Sequence, residues 1–184
     1  MIWGTTAILV ILAGFLVAGA IGYAASLFNS LVQVRNNIGK AWKNIDVLLL
    51  QRNEELPKLI ELTKAYVAYE RETLEKLVRL RGLYGQVRKT EEKTHVENDL
   101  ADGIRELRRV WEGYPGLKAN QLFLSLQERI SELESMIADR RDFFNETVKI
   151  YNIQIAQVPQ VLFARMLGYA PHPYLDVPAK GKDG

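Results

Sequence analysis

The first charged side chain is Arg35, and the 34 residues before it are uncharged and mostly apolar. Residues 7–28, AILVILAGFLVAGAIGYAASLF, contain no proline and no formal charge. As a helix rising about 1.5 Å per residue, this stretch reaches about 30 Å, the thickness of a bilayer hydrocarbon core. The pattern predicts one spanning helix. A cleaved signal peptide is the rival reading, because Ala18-Gly19-Ala20 resembles a small-residue cleavage site. Such peptides begin with a basic stretch, and residues 1–6 contain no Lys or Arg, which favours a retained anchor.

Beyond the span, the apolar positions change from a continuous run to a stripe. Leu31, Val34, Ile38, Ala41, Ile45 and Leu48 are three or four apart, as on one face of a helix. The stripe resumes at Leu56, Leu59, Leu62, Tyr66, Leu74, Leu77 and Leu80, predicting a single helix from the span to about Arg88. Pro57 lacks the amide hydrogen a helix needs and predicts a kink. The polar segment KTEEKTHVEN, residues 89–98, reads as a turn. A second helix is expected from about Val96 to Glu112, with Leu100, Ile104, Leu107 and Trp111 on one side. Gly113-Tyr114-Pro115-Gly116 ends or kinks it. A third helix, with Phe123, Leu126, Ile130, Leu133, Ile137, Phe144, Val148, Tyr151 and Ile155 in phase, closes at Pro159. A short helix then precedes Gly168, and the proline-rich residues 170–184 read as a flexible tail.

These elements predict an all-α chain in which an N-terminal transmembrane helix continues into a long antiparallel helical hairpin or bundle. Three regions follow: an anchor over residues 1–34, a helical domain over 35–169 and the tail. Whether Tyr114-Pro115-Gly116 kinks or reverses the chain is open at this level. Arms of comparable length favour the kinked hairpin, each spanning about 90 Å.

Charge and chemistry narrow the function. With 24 basic and 22 acidic residues the net charge is +2, which gives no general reason to bind nucleic acid. Arg105, Arg108 and Arg109, and Arg140 with Arg141, sit near Glu106, Glu112, Glu134 and Asp139, as on an ion-paired helix face. Arg35, Lys40 and Lys43 follow the span, so the N-terminus is expected outside a cell membrane and the remainder in the cytoplasm. The absence of cysteine excludes disulfides and thiolate chemistry. His95 and His172 lack partners at metal-ligand or acid–base spacing, and no phosphate loop or nucleophile elbow occurs. Asp46 and Glu61 are the best carboxylates an interhelical active site could use, but neither has a partner in sequence. No cofactor and no catalytic residue are expected.

Several motifs resemble one family. Arg35-Asn36-Asn37-Ile38, Ala41-Trp42 and Ile45-Asp46-Val47 are similar to the opening signature of LemA family proteins. Leu56-Pro57-Lys58-Leu59, then Tyr66, Glu70, Leu74 and Arg81, resemble its long helix. Tyr114-Pro115-Gly116-Leu117-Lys118-Ala119-Asn120, with Phe123 and Leu126, resembles its most distinctive internal motif. Val148, Tyr151-Asn152 and Pro159 resemble the end of its last long helix. The resemblance implies one N-terminal membrane helix, an antiparallel cytoplasmic bundle and no catalytic residues to carry over.

Three groups of residues carry more specific expectations. Asn37 and Asn44, and Asn145 and Asn152, are each seven apart, so each pair shares a helix face. Pairing Asn37 with Asn152 and Asn44 with Asn145 would fix an antiparallel register, as buried asparagine does in coiled coils. Gly14, Ala18, Gly22 and Ser26 recur every fourth residue and form a small-residue face for packing between spans. Phe163, Arg165 and Leu167 belong to a segment, residues 160–169, expected either at the membrane surface or in the core. Together these readings predict a membrane-anchored, non-enzymatic scaffold or assembly protein. Its expected partners are the lipid bilayer, further copies of itself and an unidentified protein. The alternative is an oligomeric protein that remodels membranes.

Overall fold

The structure, a computed structural model, describes residues 2–66, 71–87 and 90–175. It contains α1 (Ile2–Tyr66), α2 (Arg71–Gln86), α3 (Thr90–Glu112), α4 (Pro115–Lys118), α5 (Gln121–Ala156) and α6 (Gln160–Met166). No strand occurs among the described residues, in keeping with the all-α class. Residues 88 and 89, where the first arm was expected to end, and residues 176–184 of the expected tail lie outside the described residues. The chain divides into two compact units, one of Met1–Ala41 with Phe144–Tyr174 and the other containing Trp42–Phe143.

The second unit is a four-helix bundle. Its geometry corrects the expectation of one unbroken helix to Arg88, because α1 ends at Tyr66 and α2 returns along it. Arg81 of α2 reaches the carbonyl of Asn53, and Tyr84 reaches Asp46, so residue numbers rise on α2 as they fall on α1. α3 runs parallel to α1, with Lys93 at Asp46 and Glu97 at Arg52. α5 is antiparallel to α3, with Arg108 beside Ser131 and Glu134, and Arg141 beside Glu97. The chain therefore reverses at Tyr114-Pro115-Gly116, and the kinked hairpin with two long straight arms gives way to a bundle.

Local chemistry explains that reversal. Pro115 opens the single turn of α4, a position where its missing amide hydrogen costs nothing. The Asn120 side-chain oxygen then accepts hydrogen bonds from the amides of Leu122 and Phe123, capping the start of α5. The Asn120 amide donates to the Tyr66 hydroxyl at 3.3 Å, tying this turn to the end of α1 within the same unit. Beneath it Trp111 and Phe123 meet edge to face, with ring centroids 4.9 Å apart.

The core follows the stripe. Leu56, Leu59, Leu74, Leu77, Leu100, Ile104, Leu107, Leu117, Phe123 and Ile130 are all buried in one cluster. Burial of each such side chain contributes about 1.5–3 kcal/mol. On α1 the stripe passes through buried Leu49 instead of half-buried Leu48. Gly103 marks a close approach of α3 to α2, since a Cβ there would lie 2.8 Å from a Leu77 methyl.

Helix α1 continues through Pro57. A proline at this position removes the hydrogen bond normally donated to the carbonyl four residues earlier, which is that of Asn53. Arg81 Nε donates to this carbonyl at 3.0 Å, so a side chain from α2 replaces the lost backbone donor.

The first unit contains the apolar part of α1, the end of α5, and α6. Side chains from Ile8 to Tyr23 are exposed, whereas Leu27, Leu31, Ile38 and Ala41 are buried. After α6, Gly168 adopts φ +64, and the Tyr169 amide bonds back to the Ala164 carbonyl at 2.9 Å. This is the left-handed helix ending that glycine adopts without steric cost. It turns the chain into a strap over residues 169–174. Tyr151 donates its hydroxyl to the Ala170 carbonyl at 3.0 Å, and Asn152 exchanges two hydrogen bonds with the His172 backbone at 2.8 and 3.0 Å.

Arg81→Met is expected to reduce unfolding free energy by about 1 kcal/mol, because a part-buried carbonyl loses its charged donor. In a Pro57→Ala background, where the substituted residue supplies an amide hydrogen to the same carbonyl, the loss should be clearly smaller. Denaturant titration of the detergent-solubilised variants measures both, and equal losses in the two backgrounds would disprove the compensation.

Candidate functional site

The bundle's interior carries its concentration of charge. Arg52 of α1 presents both terminal nitrogens to Glu97 of α3, Nη1 lying 2.9 Å from Oε1 and Nη2 bonding Oε2. Arg141 of α5 approaches Glu97 Oε1 at 3.4 Å. All three side chains are almost wholly buried, with relative exposures of 1, 2 and 3%. A carboxylate shared by two guanidiniums thus joins three helices, through charge-assisted hydrogen bonds from Arg52 and an ion pair with Arg141. Burial pushes the Glu97 carboxyl above its ordinary range, against the opposing pull of Arg52 and Arg141. Burial also lowers Arg141, which Glu97 counteracts.

A second cluster joins α1, α2 and α3. Asp46 Oδ1 accepts from the Tyr84 hydroxyl and from Lys93 Nζ, each at 2.7 Å. The Lys93 ammonium also lies 5.1 Å from the centre of the Tyr84 ring. Burial alone would raise the Asp46 carboxyl, but the hydrogen bonds from Lys93 and Tyr84 and the charge of Lys93 together hold it below the ordinary value. Tyr84, 1% exposed, is pushed well above the usual phenol range by burial and then by Asp46. At neutral pH it therefore keeps its proton and donates it in a hydrogen bond. A third group, Arg108 with Glu134 at 2.9 Å and Ser131 at 3.2 Å, joins α3 and α5.

Asp46, considered above as an acid–base candidate, thus has two partners supplied by other helices, while Glu61 is exposed. Asn152 uses both ends of its amide on the His172 backbone, Asn37 and Asn145 are half-buried, and Asn44 is exposed. On the apolar part of α1, Gly14, Ala18, Gly22 and Ser26 are all exposed. The Ser26 hydroxyl donates to the Tyr23 carbonyl of its own helix at 2.8 Å. On α6, Phe163 is half-buried and Arg165 is exposed, and Leu167, just after the helix, is half-buried.

Sequence reasoning passed over Arg52 and Glu97 and assigned Arg141 to an ion-paired helix face, whereas Arg141 is buried, and a signal for burial was present in all three. Arg52 lies between Leu49 and Leu56, Glu97 three residues before Leu100, and Arg141 between Ile137 and Phe144. Each is a charge in the phase of the buried stripe. The segment expected to be a polar turn, residues 89–98, is helical from Thr90, and its Lys93 and Glu97 point into the bundle.

The class is an all-helical protein with a long apolar N-terminal helix and charge buried among its later helices. A model of the LemA family matches residues 41–183, most of the chain, and the protein belongs to that family. No curated protein compared with the chain matches it.

Glu97→Leu leaves two buried guanidiniums without a counter-ion and is expected to cost about 3–5 kcal/mol. Replacing the whole group, Arg52→Met with Glu97→Leu and Arg141→Met, should recover most of that loss, since the desolvation cost goes with the charges. Denaturant midpoints decide, and a triple variant less stable than the single one would refute the desolvation account.

The lowered Asp46 carboxyl has a consequence for pH dependence. Its ordinary value is 3.8, and its folded value is lower, so the folded chain holds fewer protons than the unfolded one as pH falls through this range. The stability this contributes is complete above the ordinary value and is lost progressively as pH falls from there through the lower folded value. Asp46→Asn should flatten that part of the acid limb in a series of urea titrations against pH, and an unchanged slope would contradict it.

Proposed function

We propose that this chain is a membrane-anchored, non-enzymatic scaffold that presents its four-helix bundle on the cytoplasmic side for assembly or partner binding. The observation that carries this reading is the bare apolar segment of α1. An 18-residue window there has a mean hydropathy of 2.4, and none of it is buried within the protein. Apolar surface on this scale needs a nonaqueous partner, and the length of the segment suits a bilayer. A helix of a soluble core would be covered by its own chain, as the α1 residues Leu49, Leu56 and Leu59 are.

The charged interior supports a structural role over a catalytic one. Catalytic groups must present protons or lone pairs to a substrate, whereas Glu97 and Asp46 direct theirs to Arg52, Arg141, Tyr84 and Lys93. The three clusters connect each helix of the bundle to at least one neighbour, which suits a body required to keep its shape under load. Arg35, Lys40 and Lys43 beyond the apolar segment favour the cytoplasmic placement.

Alkaline carbonate treatment of cells expressing the full chain tests this reading. The intact protein is expected to stay with the membrane, and a cysteine placed at exposed Leu122 should react with an impermeant maleimide only after the cells are opened. A mature chain beginning after Ala20, or release into the carbonate supernatant, would overturn the anchor.

A further inference from the structure

The proposed scaffold leaves one surface of the first unit without a role. Val158, Leu162 and Met166 follow one another every fourth residue and are 84, 61 and 83% exposed. Ala164 of the same short helix is buried, and Val161, Phe163 and Leu167 are half-buried. Helix α6 is therefore held by one side, and its other side offers Leu162 and Met166, with exposed Val158 in the turn just before the helix. Such a surface would normally be covered.

The connection to Arg35 indicates what covers it. Tyr169 lies only three residues beyond Met166, and the Arg35 guanidinium sits 4.4 Å from the centre of its ring. Three residues extend at most about 10 Å, so the end of α6 cannot be further than this from the Tyr169 backbone. Arg35 is the first charge after the apolar part of α1, and in an anchored protein it marks the boundary between hydrocarbon and headgroups. Arg165 is exposed next to Met166, and Arg35 and Lys40 are exposed on α1. Apolar side chains beside cations are the composition by which a surface helix binds a bilayer of phosphate headgroups.

We propose that Val158, Leu162 and Met166 enter the leaflet that α1 leaves, with Arg165 at the lipid phosphates, so that α6 is a second, in-plane lipid contact. This rests on the anchor reading above. One short helix binds lipid weakly alone, but attachment to a span holds it at the surface at high effective concentration. Two contacts instead of one would restrict how the first unit tilts and turns at the membrane.

Because the chain contains no cysteine, single cysteines at Ala13, Leu122, Leu162 and Met166 can each carry a bimane label. The full-length labelled proteins would be reconstituted into phosphatidylcholine–phosphatidylglycerol vesicles with or without phosphatidylcholine brominated near the headgroup end of its acyl chains. Loss of emission in brominated vesicles is expected at Leu162 and Met166, with the Leu122 label unaffected. For Ala13, lipid brominated near the chain terminus is the matched quencher, and loss of emission is expected there too. Quenching at Ala13 but not at Leu162 or Met166 overturns the α6 contact and leaves the anchor standing. No quenching at Ala13 overturns both. Labels at Leu162 and Met166 that are shielded from water yet insensitive to brominated lipid would assign the stripe to a second copy of the chain, which also overturns the proposal.

Discussion

Glu97 is the point on which the second unit depends. Its carboxylate sits out of water between Arg52 and Arg141, so three helices meet at one shared charge. Taking such ions out of water costs several kcal/mol each, and their attraction offsets this only when the geometry is good. The arrangement therefore adds little to net stability. It does penalise any register that separates the three side chains, because a displaced helix would leave a buried charge alone. Leucine contacts are tolerant of sliding, whereas a carboxylate bonded through both oxygens is not.

The same principle recurs at the other clusters, each time with different helices. Asp46 collects Tyr84 from α2 and Lys93 from α3, and Arg108 of α3 collects Ser131 and Glu134 from α5. Arg81 adds a link of another kind by supplying the donor that Pro57 withholds from Asn53. A proline that would otherwise weaken α1 becomes a place where α2 must dock. The apolar cluster supplies the driving force for collapse, and these polar links select one alignment among those it would allow.

The first unit is organised by a reversal instead of by charge. Gly168 turns the chain back after α6, and Tyr151 and Asn152 hold the returning strap by its backbone. The strap carries Tyr169 to Arg35, so the short helix is fixed near the first charge of α1. Span, charge and exposed α6 surface then become parts of one proposed membrane contact, and the family membership is compatible with it without specifying it.

Much of this fold was legible in the chain. The uncharged opening, the stripe of apolar residues three and four apart and the Tyr114-Pro115-Gly116 break are local patterns, and a helix expresses such patterns wherever it lies. The family motifs were legible for the same reason. The end of α1 at Tyr66 was not, because the stripe keeps its phase from Leu62 to Leu74 and nothing local distinguishes a continuing helix from one that returns. Nor was the charged interior. Arg52, Glu97 and Arg141 stand at stripe positions and could have been read as charges in a core, but neither arginine is tolerated there without Glu97, nor Glu97 without an arginine. They are 45 and 44 residues apart along the chain. The sequence by itself determined the all-helical class, the apolar stripe along most of each helix and the uncharged stretch that opens the chain. Only the tertiary structure decided which charges share a site, because pairing is a property of helices brought side by side and leaves no periodic trace in any one of them.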